Sequence, residues 1–329
     1  MFKSYGLAFP WPVYGPVAFA SGEAPEHQHR PVLPEETLRF LAPKSGGVYV
    51  DGTLGEGGHA QPILDASAPD GVVLGIDRDP RSLAVAARRL GGYGRRARFA
   101  HGNYAEMTRI AAENGIAAAD GILLDLGFSS RQVNSPGYGF SFQRDEPLDM
   151  RYDPVGVTAA DLVNSLSERE LADVIFQNGE ERRSRAIARA VVNARPVNTT
   201  GQLADLVTRA VGGRRTGQHP ATRTFQALRI AVNRELEHLE TGLAQAQELL
   251  DIGGRLVVIS YHSLEDRLVK GWMDHASATC ICPPGLPVCV CEHTPTLRLV
   301  QRRIVRPTDA ERASNPRSRS ARLRVAERL

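Results

Sequence analysis

Residues Val50–His59 read VDGTLGEGGH, and this stretch limits the possible fold more than any other. An apolar run, Val48–Val50, ends at Asp51. Glycines follow at 52, 55, 57 and 58, and a helical pattern begins near His59. Glycine suits so tight a passage because its backbone enters left-handed conformations and lets a ligand approach closely. The helix N-terminus adds unpaired N–H groups. The next apolar run, Val72–Ile76, ends at Asp77, 20 residues past Gly57. An acid there can accept hydrogen bonds from both hydroxyls of a ribose. The order strand, glycine turn, helix, strand, acid predicts a nucleoside-binding βαβ unit. The simpler alternative is an ordinary tight turn in an α/β domain.

The alternation continues. Strands are expected at 48–51, 72–77, 97–101 and 121–126, with helices at 34–41, 59–67, 80–90 and 104–114. This pattern implies an α/β fold with a parallel sheet covered on both faces. It stops after Ser130. Residues 131–153 read as a long functional loop, and 158–215 carry helical periodicity with turns near Asn178-Gly179, Arg195-Pro196 and Gly212-Gly213. One long helix over 222–251 then leads to a buried strand at 255–260. Strands at 297–305 and 320–326 carry alternating Arg, which suits an antiparallel pair at the end of the sheet. Residues 1–28 read as an irregular N-terminal extension. Residues 29–135 and 220–329 read as the cofactor-binding domain, and 136–219 as an inserted loop and helical domain that recognises substrate.

Net charge is only +3, but the arginines are unevenly placed. Glu181–Arg223 holds nine Arg against two acids, and Thr296–Leu329 holds ten against three. Such local surplus suits a phosphate backbone, although either segment can also be a solvated helix face. No apolar run approaches the roughly 18 residues of a membrane helix, so no membrane partner is expected. Lys3 and Ala18-Phe19-Ala20 faintly suggest a signal peptide, but Pro10, Pro12 and Pro16 interrupt the apolar stretch. A cytoplasmic location is expected. Oligomeric state is open, a homodimer included.

Two strand ends carry further chemistry. Asp125 closes the fourth strand and is followed by Leu126, Gly127 and Phe128, beside the glycine turn. An exocyclic ring amine is a poor nucleophile because its lone pair is delocalised. Asp125 could accept from its N–H groups, and Phe128 could hold the base flat. Read structurally, the same residues are a strand-end cap and a core side chain. The strand at 255–260 leads into Tyr261-His262-Ser263-Leu264-Glu265-Asp266, where His262 could shuttle a proton. Ser263, Glu265 and Asp266 equally resemble a helix start.

Cys280, Cys282, Cys289 and Cys291 could close a tetrahedral structural zinc site, with His275 and His293 as nearby substitutes. The alternative is reduced cysteines in a loop rich in Pro283, Pro284 and Pro287. The cofactor is also open from the turn alone. Asp51 before the glycines favours a cationic ligand such as S-adenosylmethionine. Gly55-x-Gly57-x-x-Ala60 also satisfies a loose dinucleotide fingerprint, which would make the chain an NAD-dependent oxidoreductase.

The motifs HRPVL, VDGTLGEGGHA, DLGFSSRQVN, PLDMRYD, TRTFQALRIAVNREL, SYHSLEDRLVK and NPRSRSARLRVAER occur in this order from His29 to Leu329. Together they resemble the MraW/RsmH family, which methylates the exocyclic N4 of a cytosine in the decoding region of 16S, the small-subunit ribosomal RNA. The resemblance implies a Rossmann-like class I methyltransferase sheet, parallel with a C-terminal antiparallel strand, and an inserted all-α domain. It implies S-adenosylmethionine as cofactor, and ribosomal RNA or the 30S particle as partner. Its cofactor contacts fall on Gly57, Gly58, His59, Asp77, Tyr104, Asp125 and Gln132. The family often carries Val at Phe128, Asp at Asn134 and Phe at Tyr261, which weakens a stacking role for Phe128. A non-catalytic RNA-binding assembly factor is the alternative from another class.

Overall fold

A computed structural model describes residues 30–127, 136–213, 219–283, 286 and 288–329. Seven strands form one sheet: β1 (Val48–Asp51), β2 (Val72–Asp77), β3 (Ala97–His101), β4 (Ala119–Asp125), β5 (Leu250–Ser260), β6 (Leu297–Val305) and β7 (Arg322–Arg328). Their order is β3-β2-β1-β4-β5-β7-β6. β1 to β5 run parallel, while β7 runs antiparallel to both β5 and β6.

Strand side chains alternate between the two faces, and the core divides accordingly. Val50, Leu74, Ile122, Leu124, Leu256 and Val258 face one cluster, with Met107 and Ile110 of α4 (Met107–Glu113). Leu239 and Leu243 of α10 (Glu235–Leu249) and Val269 of α11 (Ser263–Ser277) complete it. Tyr49, Val73, Leu123, Val257 and Ile259 face the other, with Leu41 of α1 (Pro34–Leu41), Ile63 of α2 (Ala60–Ala66) and Leu83 of α3 (Pro80–Arg89). With both faces covered, the sheet's loops at the strand C-termini are the free edge for a ligand.

A third core lies among α5 (Ala159–Ser165), α6 (Glu168–Gly179), α7 (Ser184–Asn193) and α8 (Thr200–Ala210), joined by Phe225 and Leu228 of α9 (Thr222–Asn233). Thr158, Ser167 and Thr199 each start a helix with a capping box, satisfying the first free N–H groups. The turns expected near 178–179, 195–196 and 212–213 fall at the ends of α6, α7 and α8.

The single helix expected over 222–251 is broken. Arg234 takes a left-handed conformation (φ 51°) between α9 and α10, and the last residues belong to β5. The cause is the buried Asn233 side chain. It donates to the carbonyls of Met150 (2.7 Å) and Arg229 (2.9 Å), and accepts from the Tyr152 amide (2.9 Å). The break ties the 136–153 loop to the sheet.

Candidate active site

The cavity, about 390 Å³, opens over the C-terminal ends of the central strands. Its size suits a small-molecule ligand, for which about 300–1,000 Å³ is usual. Gly52, Thr53, Leu54, Gly55, Gly58 and His59 supply one wall, Asp77 and Arg78 the tip of β2, and Asn103 and Tyr104 the loop after β3. Asp125 and Gly127 follow β4, and Tyr261 follows β5.

The turn owes its shape to hydrogen bonds that consume its own amides. Gly52 N–H donates to the Leu123 carbonyl (2.9 Å) and Leu54 N–H to that of Ile76 (3.0 Å). Thr53 N–H donates to Asp51 (3.2 Å) and Gly55 N–H to Asp77 Oδ2 (2.7 Å). Gly57 N–H closes on the Leu54 carbonyl (2.9 Å). A pyrophosphate cradle keeps such N–H groups for the ligand. Here the amides of Gly52, Thr53, Leu54, Gly55 and Gly57 are already spent, two of them on carboxylates, and they include both glycines that open the dinucleotide fingerprint.

Three acids gather under and around the turn. Asp51 is buried beneath it rather than facing the cavity, and desolvation pushes its carboxyl up to about 7 against the opposing pull of His59. Asp77 keeps one oxygen on Gly55 N–H and the other on Asp79 N–H (2.8 Å). Desolvation raises its carboxyl to about 6 despite those two amides. Asp125 is anchored by its amide to Thr53 Oγ1 (2.6 Å) and accepts the Tyr261 hydroxyl (2.7 Å). His59 Nε2 reaches across from the turn to 3.4 Å from Asp125 Oδ2. Among the described residues that buried nitrogen has no hydrogen-bond partner. Carboxylates held above their ordinary range are relieved by a cationic ligand. The site therefore fits S-adenosylmethionine, with its ribose diol and positive sulfur and amine, better than a doubly anionic dinucleotide.

The glycines divide their labour. Gly55 (φ +53°) and Gly58 lie on the cavity wall. Gly57 does not: a Cβ there would come 2.9 Å from Leu90 Cδ1, so this residue lets the turn pack on the end of α3. Of the other contacts expected from the resemblance, His59, Asp77, Tyr104 and Asp125 all line the cavity. Phe128 and Gln132 lie outside the described residues. His262 is turned away from the expected role. Its Nδ1 accepts Glu265 N–H (3.3 Å) as the N-cap of α11, and its Nε2 lies 3.1 Å from Glu265 Oε1. It is a positioning residue for that helix start, while Glu265 itself reaches the cavity wall.

The far wall was not anticipated. Arg229, 7% exposed, grips Glu235 through Nε and one terminal nitrogen, both at 2.8 Å. Tyr152 donates to the same Glu235 (2.9 Å), and its ring lies under the Arg78 guanidinium (5.7 Å). Burial opposes charge on Glu265, yet His262 and Arg229 hold it below the ordinary carboxylate range. Glu235, His262 and Glu265 converge closely enough to suggest a metal site. The Arg229 guanidinium pairs directly with Glu235 and attracts Glu265, so these acids have a cationic partner within the protein. One signal was available in the sequence. Arg229 is four residues from Phe225 and so shares its buried helical face.

Arginines fall into two groups. Arg322 and Arg324 both clamp Asp266 (2.8 and 2.7 Å), Arg298 pairs with Glu327, and Arg328 caps the carbonyls of Gln247, Glu248 and Leu250. These hold β7 and β6 to the fold, which corrects the reading of the whole C-terminal surplus as phosphate contacts. Arg182, Arg183 and Arg185 are exposed. Arg182, Arg223 and Arg267 line a groove with Phe176, which is 56% exposed. No helix among the described residues is long and apolar enough to cross a membrane.

This strand order, with its glycine turn and the acid at the tip of β2, defines a Rossmann-like methyltransferase fold. The chain belongs to the MraW methylase family, which it matches over residues 26–329. It is 56% identical to the ribosomal RNA small subunit methyltransferase H of Thermomicrobium roseum, over 92% of this chain and 94% of that one. Proteins of the same name from Dehalococcoides mccartyi and Geobacter sulfurreducens are 52% and 54% identical over 92% of this chain, covering 87% and 99% of their own lengths.

Proposed function

We propose that the protein transfers a methyl group from S-adenosylmethionine to the exocyclic N4 of a cytosine in the decoding region of 16S ribosomal RNA, in the cytoplasm. The observation that carries the reading is the cavity that joins Asp77 to Asp125 past a turn in which Gly55 and Gly57 already spend their amides within the protein. We assign cofactor binding to residues 29–135 and 220–329, and substrate recognition to 136–219.

S-adenosylmethionine bound here supplies a methyl group made electrophilic by the positive sulfur. Asp77 would accept the ribose hydroxyls, Tyr104 and Leu239 would enclose the nucleoside, and Gly55, Gly58 and His59 would face the methionine end. Asp125 stands where the acceptor amine must arrive. With its backbone N–H anchored on Thr53 and its carboxylate oriented by the Tyr261 hydroxyl, Asp125 would take a hydrogen bond from the cytosine N–H and return electron density to nitrogen. The cytosine nitrogen would bond to the methyl carbon as the carbon–sulfur bond breaks, releasing neutral S-adenosylhomocysteine, and the proton lost from nitrogen would pass to that carboxylate or to solvent. Fixing the amine in line with the methyl group supplies several kcal/mol of the barrier.

The base has to be unstacked to reach this depth. Arg182, Arg223 and Arg267 suit the flanking phosphates, and the Phe176 ring suits a neighbouring base. The test is transfer of a labelled methyl group to small-subunit RNA or 30S particles from cells lacking the protein, with the site mapped by mass spectrometry. Label on a cytosine N4 supports the proposal. RNA binding without transfer would instead favour a non-catalytic assembly factor.

A further inference from the structure

The four cysteines take no part in the cavity, yet the fold brings them together with unusual regularity. Cys280 Sγ lies 3.4 Å from Cys289 Sγ and 3.9 Å from Cys291 Sγ. Cys289 Sγ lies 3.5 Å from Cys291 Sγ and 3.9 Å from Cys282 Sγ. All four sulfurs lie within 4.8 Å of one another. A regular tetrahedron with zinc–sulfur bonds of about 2.3 Å has sulfur–sulfur edges of about 3.8 Å. A disulfide needs about 2.05 Å.

The backbone supports the same geometry. Each Cys-x-Cys arm offers its middle amide to the other arm: Ile281 N–H donates to Cys291 Sγ (3.4 Å), and Val290 N–H to Cys282 Sγ (3.3 Å). Cys282 N–H also donates to Cys280 Sγ (3.4 Å). Such N–H···S bonds stabilise thiolate ligands and fix their direction, as outer-shell partners do at metal sites. Hydrophobic burial does not hold the arms together. Ile281, Val288 and Val290 are 44%, 70% and 72% exposed. Four sulfurs at these distances without a core around them need another source of cohesion. His275 and His293 are not required as ligands. Their rings sit 5.0 Å apart, and His293 Nε2 lies 3.1 Å from the His275 carbonyl.

We propose that Cys280, Cys282, Cys289 and Cys291 bind one zinc ion as a closed tetrathiolate knuckle between α11 and β6. All four positions are filled by protein, so the ion has no place for water or substrate and its role is structural. It pins the connection that returns the chain from α11 to the edge of the sheet. None of the four cysteines lines the Asp77–Asp125 cavity.

The test uses the full chain, purified without a metal-affinity tag and under reducing conditions. Elemental analysis should give one zinc per chain, and Cys289→Ser should lose it. Both proteins should bind S-adenosylmethionine equally, showing that the sheet is intact. Independently of any variant, exchange of cobalt(II) into the wild type should give the intense visible bands of a tetrahedral tetrathiolate ion. Removing the metal should open residues 278–296 to protease. Wild-type protein that takes up no zinc even when it is supplied overturns the proposal. So does full zinc occupancy in Cys289→Ser, iron in place of zinc, or a count of free thiols showing two disulfides.

Discussion

Replacing Asp77 with Asn is the sharpest test of the cavity as a cofactor site. Both carboxylate oxygens already accept a backbone N–H, from Gly55 at 2.7 Å and from Asp79 at 2.8 Å, and each keeps a lone pair for a ribose hydroxyl. An amide offers one oxygen. Whichever way Asn turns, its NH2 meets one of the two N–H groups and cannot accept from the hydroxyl on that side. One charge-assisted hydrogen bond is worth about 1.5–3 kcal/mol, so the dissociation constant should rise roughly 10- to 150-fold. The pH dependence gives a second readout. The Asp77 carboxyl, raised to about 6, costs the ligand-free fold some stability above that pH, and the cost is relieved as pH falls. Ligand binding runs the other way, because only the carboxylate accepts both hydroxyls. Wild-type affinity should be flat above neutrality and fall about tenfold by pH 5. Asp51, raised to about 7, titrates in the same region, so the difference between wild type and variant isolates Asp77. Calorimetric titration with S-adenosylmethionine from pH 5 to 8 measures both effects, with circular dichroism as a control on folding. An affinity within threefold of wild type and an unchanged pH curve would refute the placement of the ribose.

Other consequences are as specific. Arg229→Met strands the Glu235 carboxylate, whose side chain is 11% exposed, and should cost about 3–5 kcal/mol in denaturant unfolding, and Arg229→Met with Glu235→Leu should recover most of it. Gly242→Ala places a Cβ 2.4 Å from Tyr104 Cδ2, so calorimetry should record weaker cofactor binding, whereas Gly271→Ala points into open space and should bind normally. Changing Arg182, Arg183 and Arg185 together to Gln should lower the slope of log affinity for RNA against log salt by about 2–3, with cofactor binding unaltered. An unchanged salt slope would remove these arginines from the RNA path.

What could be read from the chain alone was whatever depends on local periodicity. Continuous apolar runs marked the strands, as in Val48–Val50 and Val72–Ile76, because a sheet covered on both faces buries neighbours such as Tyr49 and Val50 on opposite sides. The glycine turn and Asp77 were legible because a short strand–turn–helix passage permits few residue types. Pairings between distant segments left no such mark. Arg229 and Glu235 lie six residues apart, about 240° around a continuous helix, and could not grip each other there. Only the left-handed break at Arg234, imposed by Asn233 on the 136–153 loop, brings them together. Likewise the spelling of the turn left two cofactors open, and only the fold showed that Gly55 and Gly57 spend their amides inside the protein. Sequence determined which atoms were available at each strand tip. The tertiary structure decided which of them were already spent, because a hydrogen bond is a property of two positions and the chain states only one at a time.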